Sequence, residues 1–212
     1  MIKTYIKQIY NRKNLKGYFN RNKNSIILVL VIFAISLIVG YAFNDIFKGY
    51  ILEAMKHIAE DVSTNPNILT SNIFFNNLNV AIIIILFGIL FSVVSVIILF
   101  LNGVVIGFVF NLASIPVTLI YILPHGIFEL PAIMLSVVCA FLVTQLEINL
   151  IKGTLQNTKT FKGELKNSST IIKDIILSIT IIIILLVIAA LIEGFATATL
   201  AKILMDIFGL GI

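Results

Sequence analysis

A histidine and a carboxylate stand where charge is expensive. The stretch Pro124-His125-Gly126-Ile127-Phe128-Glu129-Leu130-Pro131 lies between two long apolar runs. His125 and Glu129 are four residues apart. If Pro124 opens a helix they share one face and can touch, because a first-turn proline gives up only an N–H that has no intrahelical partner. Gly126 would let another backbone approach closely. Glu193 ends a later apolar run at a similar depth. A buried polar cluster of His125, Glu129 and Glu193 is therefore predicted near the outer membrane boundary, with Asn76, Asn77 or Asn102 as neighbours. Asn102 itself is expected at the cytoplasmic end.

Three chemistries fit these residues. The cluster could be structural, a His–Glu hydrogen bond pinning a sharp re-entry of backbone that needs internal partners at membrane depth. It could line an ion or substrate pathway, the usual reason for an ionisable side chain inside a bilayer. It could bind a metal, with His125, Glu129 and Glu193 as ligands of a membrane hydrolase. The third reading is the weakest. There is no H-E-x-x-H, no second histidine in a span, no G-x-S-x-G and no Ser–Lys arrangement. The single Cys139 lies in an apolar run and suggests neither a disulfide nor zinc. No phosphate-binding glycine loop is present, and no cofactor is expected.

The elements that must position the cluster follow from hydropathy. Of 212 residues, 59% are hydrophobic and 12% charged, about half the charge of a soluble domain. Apolar runs beyond about 18 residues mean membrane spans. The fold class is all-α, a polytopic membrane bundle of five transmembrane helices with amphipathic interfacial helices. Residues 1–24 form a basic cytoplasmic amphipathic segment, and 25–212 form a single transmembrane domain. The first span covers about 25–43. An outer amphipathic helix follows at about 47–62, with Phe47, Tyr50, Ile51, Ala54, Met55, Ile58 and Val62 on one stripe. His57 falls on its polar face.

Val80 to Leu123 holds no ionisable side chain but Tyr121. A helix of that length would reach about 66 Å, against a hydrocarbon core of about 30 Å, so the run must cross twice. Asn102-Gly103 is the expected turn, giving spans of about 80–101 and 104–123. Gly103 and Gly107 form a G-x-x-x-G suited to close helix packing, and Pro116 is expected to kink the third span. PHGIFELP then joins the third span to a fourth of about 131–151. A cytoplasmic loop covers 152–172 and a fifth span about 173–191. Glu147 and Asp174 flank the loop in expected capping or snorkelling roles. A short terminal helix takes in Leu200 to Phe208.

Orientation comes from lysine and arginine. Seven lie in residues 1–24 and five more in Lys152, Lys159, Lys162, Lys166 and Lys173. Only Lys48, Lys56 and Lys202 fall on the other side. This predicts a cell-membrane protein with a cytoplasmic N-terminus and an outer C-terminus. The net charge of +5 sits beside the spans and points to the anionic leaflet, not to nucleic acid. The bilayer is the expected partner, together with envelope proteins. The G-x-x-x-G and amphipathic helices are compatible with a homodimer.

Phe75-Asn76-Asn77-Leu78-Asn79-Val80, Asn102-Gly103 with Gly107, Pro124-His125-Gly126 through Glu129-Leu130-Pro131, and Glu193 together resemble the stage II sporulation protein M family over about residues 25–200. The resemblance implies a five- or six-helix membrane protein without an established enzyme activity. It places Asn76, Asn77, Asn102, Gly103, Pro124, His125, Gly126, Glu129, Pro131 and Glu193 on the family's signature positions. It also implies a non-catalytic scaffold or accessory role at the cell envelope, since the sporulation member anchors peptidoglycan-degrading partners. The alternatives are a small transporter or channel with its polar site at His125, Glu129 and Glu193, and, less favoured, the metal-dependent hydrolase.

Overall fold

The computed structural model describes residues 2–60, 66–112, 115–155, 161–197, 199–200 and 203–204. Among them the chain is helical apart from short turns and contains no strand. Two short helices come first, α1 (Ile2–Ile9) and α2 (Arg12–Arg21). They are followed by α3 (Lys23–Ala42), α4 (Asn44–Glu60), α5 (Pro66–Leu86) and α6 (Val93–Leu112). The last are α7 (Ile115–Leu155), α8 (Phe161–Asn167) and α9 (Ser169–Ile192). A 3₁₀ turn, Phe87–Leu90, extends α5, and a π turn, Glu193–Thr197, extends α9. Five segments are long and apolar enough to cross a membrane: Lys23–Ala42, Asn67–Leu90, Val93–Leu112, Gly126–Gly153 and Ser169–Thr197. The architecture is an all-α polytopic bundle.

The second and third spans do not divide at Asn102-Gly103. The chain reverses at Phe91-Ser92, both at positive φ (53° and 57°). Asn102 and Gly103 lie inside α6, nine and ten residues past its start, so Asn102 is at mid-span and not at an end. A left-handed conformation costs an L-residue about 1–2 kcal/mol, and hydrogen bonds across the turn offset it. Ser92 and Thr144 hydroxyls are 2.7 Å apart. Thr144 donates to the Gly88 carbonyl at 2.6 Å, so its single proton is used and Ser92 must be the donor between them. Ser95 donates to the Ile84 carbonyl at 2.6 Å. Asn102 closes onto its own helix instead, its amide donating to the Ile98 carbonyl at 2.9 Å.

Gly103 and Gly107 serve packing. A Cβ on Gly103 would run into the Ser36 hydroxyl, and one on Gly107 into the Leu37 carbonyl. On the facing helix, a Cβ on Gly40 would strike the Val104 carbonyl. The parallel helices α3 and α6 therefore touch backbone to backbone, as small residues permit where lipid supplies no hydrophobic drive. Outside this pair, Phe47 and Ile51 of α4 pack on Val104 and Phe108. Tyr50 of the expected apolar stripe is instead 81% exposed. The side chains of Ala54, Met55, His57 and Ile58, and all of Val62, lie outside the described residues, as does the segment 205–212.

Helix α7 is continuous for 41 residues, with Pro124 and Pro131 inside it. PHGIFELP is thus no joint between spans, and Pro124 opens no helix. Each proline leaves the carbonyl four residues earlier, Ile120 or Ile127, without its usual N–H. Spanning helices tolerate such positions. Pro116 kinks no span either, for it sits in the first turn of α7, where it is well suited. Among the described residues the fourth span takes in Gly126–Gly153. The atoms nearest a Cβ on Gly126 are Ile122 and Leu130 side chains of its own helix, not a second backbone. Helix α9 runs antiparallel to α7 and packs Ile182 and Leu186 on Ala132 and Cys139. Among its described residues the loop expected at 152–172 is largely helical, since α7 continues to Leu155, α8 covers Phe161–Asn167 and α9 starts at Ser169.

The basic first segment does not simply lie on a surface. Ile9 and Tyr18 are buried against Leu177 of α9. Asn11 caps α2, accepting from the Lys13 N–H at 2.9 Å. Helices α1, α2 and α8 gather around the start of α9 at one end of the bundle, the basic end.

Candidate functional site

Glu129 lies fifteen residues from Thr144 along α7, about 22 Å at 1.5 Å per residue. Thr144 meets the Ser92 turn near the basic end, so Glu129 sits in the far third of a core about 30 Å thick. Three helices converge there. Asn77 of α5 stands beside the Glu129 carboxyl, and Glu193 is its acidic neighbour. The register explains the meeting. Ser92 and Thr144 are 52 residues apart, as are Asn77 and Glu129, so α5 and α7 run parallel and in step. The antiparallel α9 brings the carbonyl of Ile175 to Cys139, and its other end brings Glu193 to Glu129. The π turn starting at Glu193 widens the helix at that point.

Of the sequence-predicted residues, the structure gathers Glu129, Glu193 and Asn77. His125 stands one helical turn before Glu129, and its side chain lies outside the described residues. Asn76 is exposed and Asn102 bonds its own helix. No group of three His, Cys, Asp or Glu side chains converges among the described residues. Two carboxylates and an amide at one depth can hold a proton or a small cation, or can tie three helices together through hydrogen bonds.

A second polar site escaped the sequence reading. Asp174, five residues into α9, is 2% exposed and pairs with Arg21 of α2. Arg21 Nε and Nη2 donate to its two oxygens at 2.9 and 2.5 Å, and the Asn22 amide adds a bond at 3.2 Å. Arg21 also donates to Asn14 at 2.8 Å, and Asn14 donates to the Ile9 carbonyl at 2.9 Å. The bond to Asp174 raises the Arg21 pKa above its ordinary value and outweighs the opposing effect of burial. Tyr18, fully buried, stands 2.7 Å from the Ser178 hydroxyl. Ser178 donates to the Asp174 carbonyl at 2.8 Å, so Tyr18 is the donor to Ser178. Burial pushes the Tyr18 phenol up to about 12, against the smaller lowering effect of Ser178. Asp174 is thus neither a cap nor a snorkelling residue but the anchor of the N-terminal segment. A lone acid inside an apolar span was the available signal. Glu147 has one buried carboxylate oxygen with no hydrogen-bond partner among the described residues.

The family described as SpoIIM, Stage II sporulation protein M, matches residues 25–198. The chain belongs to the Stage II sporulation protein M family. This match takes in all five spans and the Asn77–Glu129–Glu193 site. Two uncharacterized proteins of Methanocaldococcus jannaschii are similar to this SpoIIM-family chain. One is 33% identical over 189 residues, covering 86% of this chain and 99% of the relative. The other is 27% identical over 212 residues, covering 95% and 94%. No solved structure matches.

Proposed function

We propose that this SpoIIM-family membrane protein is a non-catalytic scaffold or accessory protein at the cell envelope, with its N-terminus in the cytoplasm and its C-terminus outside. One observation carries the reading: buried serine hydroxyls among the spans are taken up by backbone carbonyls, three on their own helix and one across to a neighbouring helix. Ser36 donates to Phe33, Ser95 to Ile84, Ser136 to Ala132 and Ser178 to Asp174. Such groups are committed to packing, not arranged toward a reactant. The twelve lysines and arginines assigned to the basic end support a cytoplasmic placement of that end. Envelope partners would be recruited from either face.

Two experiments test this. Crosslinking in the native membrane, followed by identification of what co-purifies, should return envelope proteins in stoichiometric amounts; a protein recovered alone would count against a scaffold. Cysteine labelling should report Lys159→Cys from the cytoplasm and Lys56→Cys from outside, and the reverse pattern would refute the orientation.

A second reading has its own support, the meeting of Glu129, Glu193 and Asn77 within the span. Two like charges repel strongly at that depth, which makes the group a place to hold a proton or cation in a small transporter or channel. Reconstituted liposomes would show ion flux, abolished by Glu129→Gln with the fold retained. Such flux would overturn the scaffold-only reading.

A further inference from the structure

A cleft of about 320 Å³ opens on the side of the bundle where α3 and α9 flank α7. Phe19, Ile26, Leu30, Met134, Leu135 and Leu185 are among its walls, and every lining side chain is apolar. It runs along α7 from Val138 to Pro131, about 10 Å at 1.5 Å per residue. That places it inside the membrane, starting at the basic end.

The basic end of the cleft has a charged rim. A single turn residue, Asn22, joins α2 to α3: its N–H bonds the Tyr18 carbonyl and its carbonyl accepts from the Ile26 N–H, each at 3.0 Å. Within α3, Lys23, Ile26 and Leu30 share one stripe at spacings of three and four, and Phe19 of α2 lines the cleft beside Ile26 and Leu30. Lys16 stands one turn before Phe19 on the same face of α2. Lys16 and Lys23 are exposed, and Phe19 is 58% exposed between them. Arg21, on another side of the helix, is engaged by Asp174. An apolar slot thus ends at two cations placed where a headgroup phosphate would lie.

We propose that this cleft is a specific site for an anionic phospholipid. One acyl chain lies along α7 between Leu30 and Leu185, and the phosphate rests against Lys16 and Lys23. Charge complementarity commits the site to an anionic lipid. A zwitterionic lipid fills the same slot but gains less from the two lysines. The bound lipid also covers Phe19 and packs the N-terminal segment onto the spans.

The test uses the full-length protein in vesicles of phosphatidylglycerol and phosphatidylcholine with identical chains, and counts retained lipid by native mass spectrometry. One phosphatidylglycerol should be retained in preference to phosphatidylcholine. Lys16→Gln with Lys23→Gln should lower that preference by about fivefold per lysine. Leu30→Trp, which fills the cleft from its exposed rim, should abolish retention of either lipid. Lys162→Gln with Lys166→Gln, in α8, should change nothing. Thermal unfolding of each variant separates loss of lipid from loss of fold. Equal retention of the two lipids, or loss of preference in the α8 variant as well, would reduce the cleft to ordinary lipid contact and overturn the proposal. So would a protein segment that occupies the cleft and resists displacement by phosphatidylglycerol.

Discussion

Replacing Arg21 by methionine strands a charge whose cost can be worked from the structure. Asp174 is 2% exposed and its carboxylate takes two bonds from Arg21 and one from Asn22. Without the guanidinium only the Asn22 amide remains. Leaving a buried ion without its partner costs about 3–5 kcal/mol. Arg21 keeps 35% of its side chain in solvent, so water can reach part of the gap, and the lower end, about 3 kcal/mol, is expected. Arg21→Lys keeps the charge but not the fork and should cost about 1–1.5 kcal/mol, one hydrogen bond's worth. The double variant Arg21→Met, Asp174→Leu removes both charges and fills the space. It should return to within about 1 kcal/mol of the native protein.

The assay is reversible unfolding in mixed micelles by SDS titration at pH 7, with tryptic cleavage within residues 1–21 followed by mass spectrometry. Cleavage should accelerate in Arg21→Met, because α2 loses its anchor on α9, and slow again in the double variant. An Arg21→Met protein within about 0.5 kcal/mol of native, in the range of surface pairs, would refute the assignment of a buried anchor. So would a double variant as unstable as the single.

Three further outcomes follow from other contacts. Gly103→Ala and Gly107→Ala should each cost about 1–3 kcal/mol by forcing α3 and α6 apart, read by the same titration; Gly49→Ala, with open space around its Cβ, should be close to neutral. Thr144→Val removes the donor to Gly88 and the acceptor for Ser92 and should cost about 1–3 kcal/mol, with faster proteolysis at the Phe91-Ser92 turn. Tyr18 should remain protonated after an ordinary tyrosine near 10 has ionised, since burial holds it near about 12. A raised folded-state pKa means that its stability contribution is complete below pH 10 and is lost as pH rises toward 12. The difference in pH dependence between native protein and Tyr18→Phe should reach about 2.7 kcal/mol over that window, with tyrosinate absorbance as the direct check.

Hydropathy alone determines that this chain crosses a membrane five times as helices, because a bilayer forces about 20 apolar residues per crossing whatever their neighbours. Charge counting along the chain puts both basic segments at one end for the same reason. The turn between the second and third spans was not legible. Asn102-Gly103 carries the local signature of a turn, yet Gly103 is spent on contact with Ser36, and the real turn at Phe91-Ser92 is held by Thr144, 52 residues away. A run apolar from Val80 to Leu123 offers no local boundary, so only tertiary hydrogen bonds decide where it bends. PHGIFELP shows the same limit. Its prolines suggest a break, while packing on α9 and neighbouring spans keeps α7 continuous.

The site divides along the same line. Glu129 and Glu193 stood out because an acid in an apolar run is costly wherever it occurs. That Asn77 and not Asn102 reaches Glu129 depends on the parallel register of α5 and α7. Asp174 and Arg21 lie 153 residues apart, and nothing local in either stretch names the other. Their pairing exists only because α2 folds onto the start of α9, where low dielectric makes the contact worth forming.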